Sequence, residues 1–223
     1  MEIEVKELSC GYKKVILENV SFSLKDGAVC ALAGDNGSGK STLLKTLCGA
    51  ILPLNGEVII DGKKNDFSSV AYVPQGNSRP MPLDCIDSVL LGRARHIGRF
   101  TVPGDKDKDM AQAALDRLGV GKLAHTPCTM VSGGELRLVN IARALVSESK
   151  ILILDEPESS LDSKNRRLIC ETLTALAADG MIIIYSSHFI KNILRTATNV
   201  IYVENGRAEF LPPENIADKM TDY

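Results

Sequence analysis

Aromatic side chains are scarce in this sequence, and tryptophan is absent altogether. The 223 residues include five phenylalanines and five tyrosines, and their formal net charge is −2. Proteins that bind single-stranded nucleic acids stack the bases on aromatic rings and hold the backbone in a basic groove. The composition therefore argues against a nucleic-acid-binding surface, and we expect no nucleic-acid partner.

Long hydrophobic runs and paired cysteines are also missing. The longest aliphatic runs, such as MIIIY at 181–185, are far shorter than the roughly 20 residues that span a bilayer. The first ten residues, MEIEVKELSC, lack the basic and then apolar order of a secretory signal. None of the six cysteines forms a Cys-x-x-Cys pair, so we interpret them as small core residues in a reducing compartment. A membrane role for this chain would need a partner.

Several short segments have the apolar patterns of strands. AVCALA at 28–33, ILIL at 151–154 and IIIY at 182–185 are continuous apolar runs, which are typical of strands covered on both faces. Near the start, EIEVKEL and NVSFSL alternate apolar and polar residues, as half-buried strands do. These patterns predict an α/β core preceded by a smaller β part.

The middle of the chain has a different character. From Gly76 to about Leu118, proline-rich patches flank the helical patterns CIDSVLLGRARHIGRF and DMAQAALDRLG, and no convincing strand pattern occurs. We therefore predict a helical subdomain at 76–148 inserted into a core formed by 1–75 and 149–223.

A glycine-rich octapeptide, GDNGSGKS at 34–41, lies between a strand pattern and a helix pattern and fits G-x-x-x-x-G-K-[ST]. Its glycines let backbone N–H groups converge on phosphate oxygens, and the helix N-terminus favours negative charge. In such a loop Lys40 bridges the β- and γ-phosphates, and the Ser41 hydroxyl ligates Mg²⁺. The stretch predicts a phosphate-binding loop (P-loop, or Walker A motif).

Two adjacent carboxylates follow the apolar run at 151–154. A buried parallel strand of this kind, a Walker B strand, would deliver Asp155 to the magnesium shell at its carboxyl end. Glu156 would hold a water against the γ-phosphate as general base. The motif is weak alone, but it becomes specific beside the P-loop.

A second glycine turn, VSGGE at 131–135, has two interpretations. Ser132 and Glu135 form the pattern of a capping box at a helix start. A capping box does not require Gly133 and Gly134 together, because glycines disfavour helix and are useful chiefly where a ligand approaches the backbone.

Taken together, these motifs resemble the ATP-binding cassette (ABC) family over essentially the whole chain. They occur in the family's order and approximate spacing: GDNGSGKS, Gln75 after a strand, VSGGE, ILILDEP, SSLD at 159–162, and His188. The resemblance implies a P-loop NTPase fold with a RecA-like core, an antiparallel β subdomain and an inserted α-helical subdomain. It also implies a head-to-tail homodimer, in which each ATP lies between the P-loop of one chain and the SGGE turn of the other.

The resemblance implies roles for single residues. Tyr12 matches the aromatic that stacks on adenine, Gln75 the glutamine that contacts Mg²⁺, and His188 the histidine that contacts the γ-phosphate. Ser132 and the Gly134 amide match groups that reach the opposing γ-phosphate, and Asp162 belongs to a loop that crosses the dimer interface. The expected catalytic set is Lys40, Gln75, Glu156 and His188; the metal set is Ser41, Gln75 and Asp155; and the nucleotide-binding set is Tyr12, Gly34, Asp35, Asn36, Gly37, Ser38, Gly39, Lys40, Ser41, Thr42, Ser132, Gly133, Gly134, Glu135 and Asp162.

Some positions depart from the family pattern. Val131 replaces the usual leucine of the signature, Glu135 the commoner glutamine, and Leu136 and Leu138 stand where polar or basic residues are frequent. Glu158 stands where threonine is usual and adds a negative charge near the nucleotide-bearing interface. The signature changes keep the glycine turn and its cap, so we expect each ATP still to be held between two chains.

The resemblance also suggests a type of cassette protein. The segment DSVLLGRARHIGRF at 87–100, with GVGKLAHT at 119–126, looks like importers of iron-siderophore, haem or vitamin B12. In those importers the helical subdomain receives a permease, so the resemblance implies a peripheral protein on the cytoplasmic face of the membrane that works indirectly with a substrate-binding protein. An amphipathic helix with a basic solvated end is the simpler interpretation of the segment.

Other members of the family remain open as alternatives. They are zinc or manganese importers, and soluble ABC ATPases that drive no transport, such as the iron–sulfur cluster assembly type. Translation-factor types usually contain two cassettes, and this chain has room for one. A P-loop kinase would leave the SGGE turn, SSLD and His188 unexplained.

Overall fold

The computed structural model of the chain describes residues 1–76, 81–97, 101–159 and 161–220. The chain forms two compact units, one from Met1–Pro74, Lys150–Pro157 and Cys170–Tyr223, the other from Gln75–Ser149 and Glu158–Ile169. The domain division drawn from the sequence assigned 158–169 to the core, and it stays a prediction. Gly98–Phe100 of the importer-like segment and Ser160 of SSLD lie outside the described residues.

The first unit contains all ten strands that occur in the described residues. They are β1 (Glu2–Gly11), β2 (Val15–Lys25), β3 (Val29–Gly34), β4 (Asn55–Ile60), β5 (Lys63–Lys64), β6 (Val70–Val73), β7 (Ile151–Leu154), β8 (Ile182–Ser186), β9 (Asn199–Glu204) and β10 (Arg207–Leu211). The helices are α1 (Lys40–Leu47), α2 (Cys85–Leu90), α3 (Asp105–Arg117), α4 (Gly133–Leu145), α5 (Ser163–Ala178), α6 (Ile190–Thr196) and α7 (Ile216–Lys219).

The larger sheet has the strand order β10-β9-β3-β8-β7-β6. Its strands are parallel except β10, which pairs antiparallel with β9. Every residue of β3, β7 and β8 is buried, as their continuous apolar runs predict. Because the carboxyl ends of parallel strands meet at one edge of a sheet, the P-loop after β3 and Asp155–Glu156 after β7 lie along the same edge.

The smaller sheet is antiparallel and has the order β2-β1-β4-β5. Two tight turns follow from their sequences. Asp61 and Gly62 join β4 to β5 with φ angles of 47° and 77°, and Asn205 and Gly206 join β9 to β10 with φ angles of 50° and 77°. Asp-Gly and Asn-Gly are the pairs that accept two successive positive φ angles in a two-residue hairpin.

One hydrophobic core joins both sheets to α1. Leu43, Leu44 and Leu47 of α1 are fully buried, and they belong to the same cluster as Leu32 of β3 and Ile184 of β8. Burying one such side chain stabilises a fold by about 1.5–3 kcal/mol. This packing fixes α1, and therefore its first residue, Lys40, against the strands.

The second unit is helical in its described residues, but the helical pattern of CIDSVLLGRARHIGRF is interrupted, because α2 ends at Leu90 and a 3-10 turn follows at Leu91–Arg93. Gly92 approaches the backbone of α4 so closely that a Cβ atom there would collide with the Arg143 carbonyl oxygen. This contact between segments distant in sequence redirects the chain.

The six cysteines are free thiols, and all but the half-buried Cys48 are buried. Burial raises the pKa of the Cys10 and Cys30 thiols, which keeps them protonated and unreactive. Across the described ranges, no helix is long and apolar enough to cross a membrane.

Candidate active site

The P-loop positions one buried cation. Lys40 begins α1 and is only 6% exposed, and its Nζ donates hydrogen bonds to the carbonyl oxygens of Gly34 and Asp35, both 2.7 Å away. Burial lowers the pKa of Lys40, while the nearby carboxylates of Glu156, Asp155 and Asp35 act in the opposite direction. The loop thus holds a desolvated ammonium group, which an anionic ligand would stabilise.

The same loop has polar groups that a phosphate chain fits. The Ser38 hydroxyl is buried and has no hydrogen-bond partner among the residues that the structure describes, which is a costly state unless a ligand or water satisfies it. A Cβ atom added at Gly37 would meet nothing within 4 Å, and Gly39, the N-cap of α1, has a φ of 111° that side chains rarely adopt. The loop is therefore open to a ligand at its tip and has a helix N-terminus behind it.

Asp155 is the most enclosed carboxylate of this edge. It follows β7, is only 2% exposed, and accepts a hydrogen bond from the Ser186 hydroxyl at Oδ1 (2.7 Å) and from the Tyr72 hydroxyl at Oδ2 (3.4 Å). Burial raises the pKa of the Tyr72 hydroxyl, and the negative charge of Asp155 raises it further. Tyr72 therefore stays protonated and can donate to the carboxylate.

Glu156 has an unusual backbone. Its φ is 44°, in the left-handed region that non-glycine residues seldom occupy. Its amide N–H donates to the Ser186 hydroxyl at 2.8 Å. Strained backbone of this kind is common where a catalytic side chain must be aimed in one direction.

The glycine turn at 131–135 starts α4 with the predicted capping box. The Glu135 carboxylate accepts from the Ser132 amide at 2.9 Å and from the Ser132 hydroxyl at 2.8 Å, and the Glu135 amide donates back to that hydroxyl at 3.3 Å. These bonds to Ser132 lower the pKa of Glu135. Ser132 and Gly133 are nevertheless exposed, so their outer surfaces remain open to a partner or a ligand.

Gly134 is buried under the first turn of α5. A Cβ atom at Gly134 would lie 2.8 Å from Nδ2 and 2.9 Å from Cγ of Asn165. Asn165 is held by Asp162, whose carboxylate accepts from the Asn165 amide at 2.7 Å and from its Nδ2 at 3.3 Å. The glycine turn and Asp162 are thus linked through one carboxamide.

Comparison with known proteins shows to which family the chain belongs. The sequence profile of the ABC transporter family matches residues 17–159. The chain belongs to the ABC family. It is an ATP-binding subunit, and it hydrolyses ATP as the members of this ATPase family do.

Relatives within the ABC family have different named substrates. The molybdate import ATP-binding protein MolC of Haemophilus influenzae is 34% identical over 202 residues, which cover 90% of this chain and 78% of MolC. The manganese transport ATP-binding protein MntB of Bacillus subtilis is 31% identical over 219 residues, which cover 96% of this chain and 88% of MntB. A solved ABC transporter in an inward-facing conformation, assigned to the metal-chelate type, superposes with a TM-score of 0.88 at 33% identity, over 96% of this chain and 84% of its own.

The other residues that the ABC resemblance singled out occupy exposed positions. Tyr12 lies in the turn between β1 and β2, and 59% of its surface is exposed. His188 lies beyond β8, where its ring packs on Phe189 with centroids 4.0 Å apart. Gln75 follows β6 and belongs to the second unit. Their roles toward nucleotide remain predictions.

Glu158, the departure from the ABC pattern whose effect the sequence left open, is only 2% exposed. Leu136 and Leu138 are buried as well, which explains why apolar residues are accepted at these two positions of α4.

Three residues that the sequence did not single out contact predicted site residues within their own units. Tyr72 and Ser186 contact Asp155, and Asn165 covers Gly134. Of the three, only Ser186 could have been singled out from the sequence, because the polar pair at 186–187 interrupts an apolar strand just before His188.

Proposed function

We propose that this ABC ATPase powers a membrane importer and that the imported molecule is a metal chelate of the iron-siderophore, haem or cobalamin class. The observation that carries the ATPase proposal is the convergence of three charged residues at one edge of the parallel sheet. They are Lys40, which is buried and whose pKa is lowered by burial, and the two carboxylates Asp155 and Glu156. The protein would lie on the cytoplasmic face of the membrane as a peripheral subunit.

Lys40 and the P-loop amides would bind the phosphate chain of ATP. Lys40 would neutralise charge between the β- and γ-phosphates, and Ser38 would gain a partner for its buried hydroxyl. The adenine ring would stack on the exposed Tyr12. Glu156 would accept a proton from the attacking water, and His188 would contact the γ-phosphate.

Ser41 and Asp155 would hold Mg²⁺, with Gln75 completing the protein's ligands. Their oxygen atoms are the donors that Mg²⁺ prefers, and this ion usually binds to proteins through one or two carboxylates, here Asp155, beside phosphate and water. When bound, the ion would neutralise the charge that develops on the phosphate oxygens during transfer. The buried, doubly hydrogen-bonded carboxylate of Asp155 supports this assignment.

A homodimer would complete the site. The exposed Ser132 and Gly133 at the start of α4 would face the nucleotide held by the P-loop of a second copy, with Asp162 near the interface. ATP would close this dimer and hydrolysis would reopen it, so that binding free energy drives the membrane subunits between their states. The inserted helical subdomain would transmit this motion to the permease.

Two residues of the importer-like segment have structural roles, which narrows the support for the metal-chelate assignment. Of the importer-like segment, Gly92 packs on α4, and Arg93 is buried and bonded to Asp107, Val146 and Glu148. Because these two residues stabilise the fold of the helical unit, they do not bear on the substrate. The metal-chelate assignment therefore depends on the other residues of the importer-like segment and on the similarity to the solved transporter of the metal-chelate type. The manganese relative supports a second candidate, a manganese importer.

The glutamate-to-glutamine exchange at position 156 tests the ATPase site. Glu156→Gln keeps the size of the side chain but removes its basicity, so we expect ATP binding to persist, hydrolysis to fall at least about 100-fold, and a dimer to accumulate with ATP. Gel filtration with and without ATP, together with phosphate release, measures both effects. Wild-type hydrolysis by this variant would refute the role of Glu156.

The transport partner requires a separate experiment. The tagged chain, expressed from its native locus and extracted in detergent, should co-purify with a polytopic membrane protein. Uptake of radiolabelled manganese and of a ferric chelate by cells with and without the chain then separates the two candidate substrate classes. Recovery of soluble scaffold proteins alone would contradict the importer proposal.

A further inference from the structure

Ser186 ends β8 and is fully buried. Its hydroxyl donates to Asp155 Oδ1 at 2.7 Å and accepts from the Glu156 amide at 2.8 Å. A serine hydroxyl has one proton to donate and lone pairs to accept, so this single group serves both residues after β7.

The strand register explains why this serine reaches both residues. In the parallel pair of β7 and β8, Leu154 lies opposite Tyr185. The next residues along the two strands, Asp155 and Ser186, therefore lie side by side. Asp155 remains tied to the sheet, because its amide donates to the Val73 carbonyl at 2.9 Å.

The two bonds act on different parts of the site. The bond to Oδ1 restricts rotation of the Asp155 carboxylate, and the bond from the Glu156 amide secures the residue whose φ of 44° is otherwise unfavourable. A change in either orientation would misplace an oxygen that the proposed reaction uses.

We propose that Ser186 is a positioning residue for ATP hydrolysis: it orients the Asp155 carboxylate toward the metal ion and holds the Glu156 backbone in the conformation that presents its side chain. This inference rests on the proposed roles of Asp155 and Glu156. Ser186 itself is fully buried. It acts on the reaction through its two neighbours.

The test compares Ser186→Ala with a matched loss of a buried hydroxyl. Tyr185, the preceding residue of β8, is also fully buried, and its hydroxyl bonds to Thr196 Oγ1 at 2.5 Å, on the other side of the strand from Ser186. Tyr185→Phe therefore removes a buried hydroxyl from the same strand and leaves both hydrogen bonds of Ser186 in place. Thermal unfolding of both variants measures their general structural cost.

The decisive readout is ATPase activity against MgCl₂ concentration at saturating ATP. Outer-shell partners of metal ligands typically change metal affinity or activity by about 10–100-fold. For Ser186→Ala we expect the Mg²⁺ concentration at half-maximal activity to rise about 10-fold and kcat to fall by a similar factor. Tyr185→Phe should keep the wild-type Mg²⁺ dependence.

A second substitution covers the case in which Ser186→Ala does not fold. Ser186→Cys fits nearly the same space and keeps only a weak donor, so it should show the same shift in smaller degree. If either folded variant has the kcat and Mg²⁺ dependence of Tyr185→Phe, Ser186 is a structural residue and the inference is wrong.

Asp155→Asn separates this inference from the proposed function. Normal hydrolysis by Asp155→Asn would refute the proposed site itself. Loss of hydrolysis in Asp155→Asn, with Ser186→Ala and Tyr185→Phe indistinguishable, would refute only the role of Ser186.

Discussion

The carboxamide of Asn165 lies directly over Gly134, at a distance that leaves no room for a side chain on the glycine. The same carboxamide donates to Asp162, which begins the turn before α5. One asparagine therefore sets the position of both segments that the resemblance assigns to the dimer interface. It also gives the second glycine of the signature turn a physical reason within a single chain.

The Gly134–Asn165 contact predicts that Gly134→Ala lowers ATPase activity. The added Cβ atom would lie 2.8 Å from Asn165 Nδ2, so the turn or the carboxamide has to move. We expect hydrolysis to fall about 10-fold or more, because small misplacements in an active site cost factors of this size. Binding of a fluorescent ATP analogue to the P-loop of the same chain should persist.

The double variant supplies the control for this contact. Asn165→Ala removes the three atoms that would lie nearest to the new Cβ. Gly134→Ala combined with Asn165→Ala should therefore regain activity relative to Gly134→Ala alone, up to the level of Asn165→Ala. A double variant no better than Gly134→Ala would show that the contact is not the cause.

Ser132 distinguishes a capping role from a nucleotide role. Asparagine caps helices about as well as serine, whereas Ser→Ala at an N-cap costs about 1 kcal/mol. If Ser132 reaches the nucleotide of a second copy, Ser132→Asn should keep the thermal stability and lose most of the hydrolysis. Full activity in Ser132→Asn, with a stability loss in Ser132→Ala, would reduce the residue to a helix cap.

The sequence predicted what local chemistry determines. The capping box, the Asn-Gly and Asp-Gly hairpins and the buried parallel strands follow from patterns within a few residues. Contacts between segments that are distant along the chain could not be predicted from these local patterns. The break at Gly92 depends on the approach of α4, and the bond from Ser186 to Asp155 depends on which strands pair. Neither fact is present in a short stretch of sequence.

The buried position of Lys40 in the P-loop predicts that its replacement removes the stabilisation of the protein by bound nucleotide. At an ATP concentration 100-fold above Kd, binding stabilises a protein by about 2.7 kcal/mol. Lys40→Met should abolish most of the rise in melting temperature that Mg²⁺-ATP produces, because the ammonium group is the buried cation of the loop. Lys45→Met, which removes a cation later in the same helix, serves as the control and should retain that rise.

Arg93 predicts a stability loss within the helical unit. The side chain is only 7% exposed, and it donates to the Val146 carbonyl at 3.0 Å, to Asp107 at 2.9 Å and to Glu148 at 2.9 Å. Arg93→Met should lower the free energy of unfolding by about 1–3 kcal/mol, the cost of a buried acceptor left without its donor. Arg95→Met removes an exposed charge from the same segment and should cost less in urea denaturation.

The Arg93 contribution should also depend on pH. Hydrogen bonds from Arg93 hold the pKa of Asp107 and of Glu148 below their usual values of 3.8 and 4.5. A carboxylate with a lowered folded-state pKa stabilises the fold above its usual pKa and loses that effect as the pH falls through the lowered value. The stability difference between wild type and Arg93→Met should therefore be constant near neutral pH and shrink below about pH 4, to the part that the Val146 bond supplies. A difference that stays constant down to pH 2 would show that the two ion pairs contribute nothing to stability.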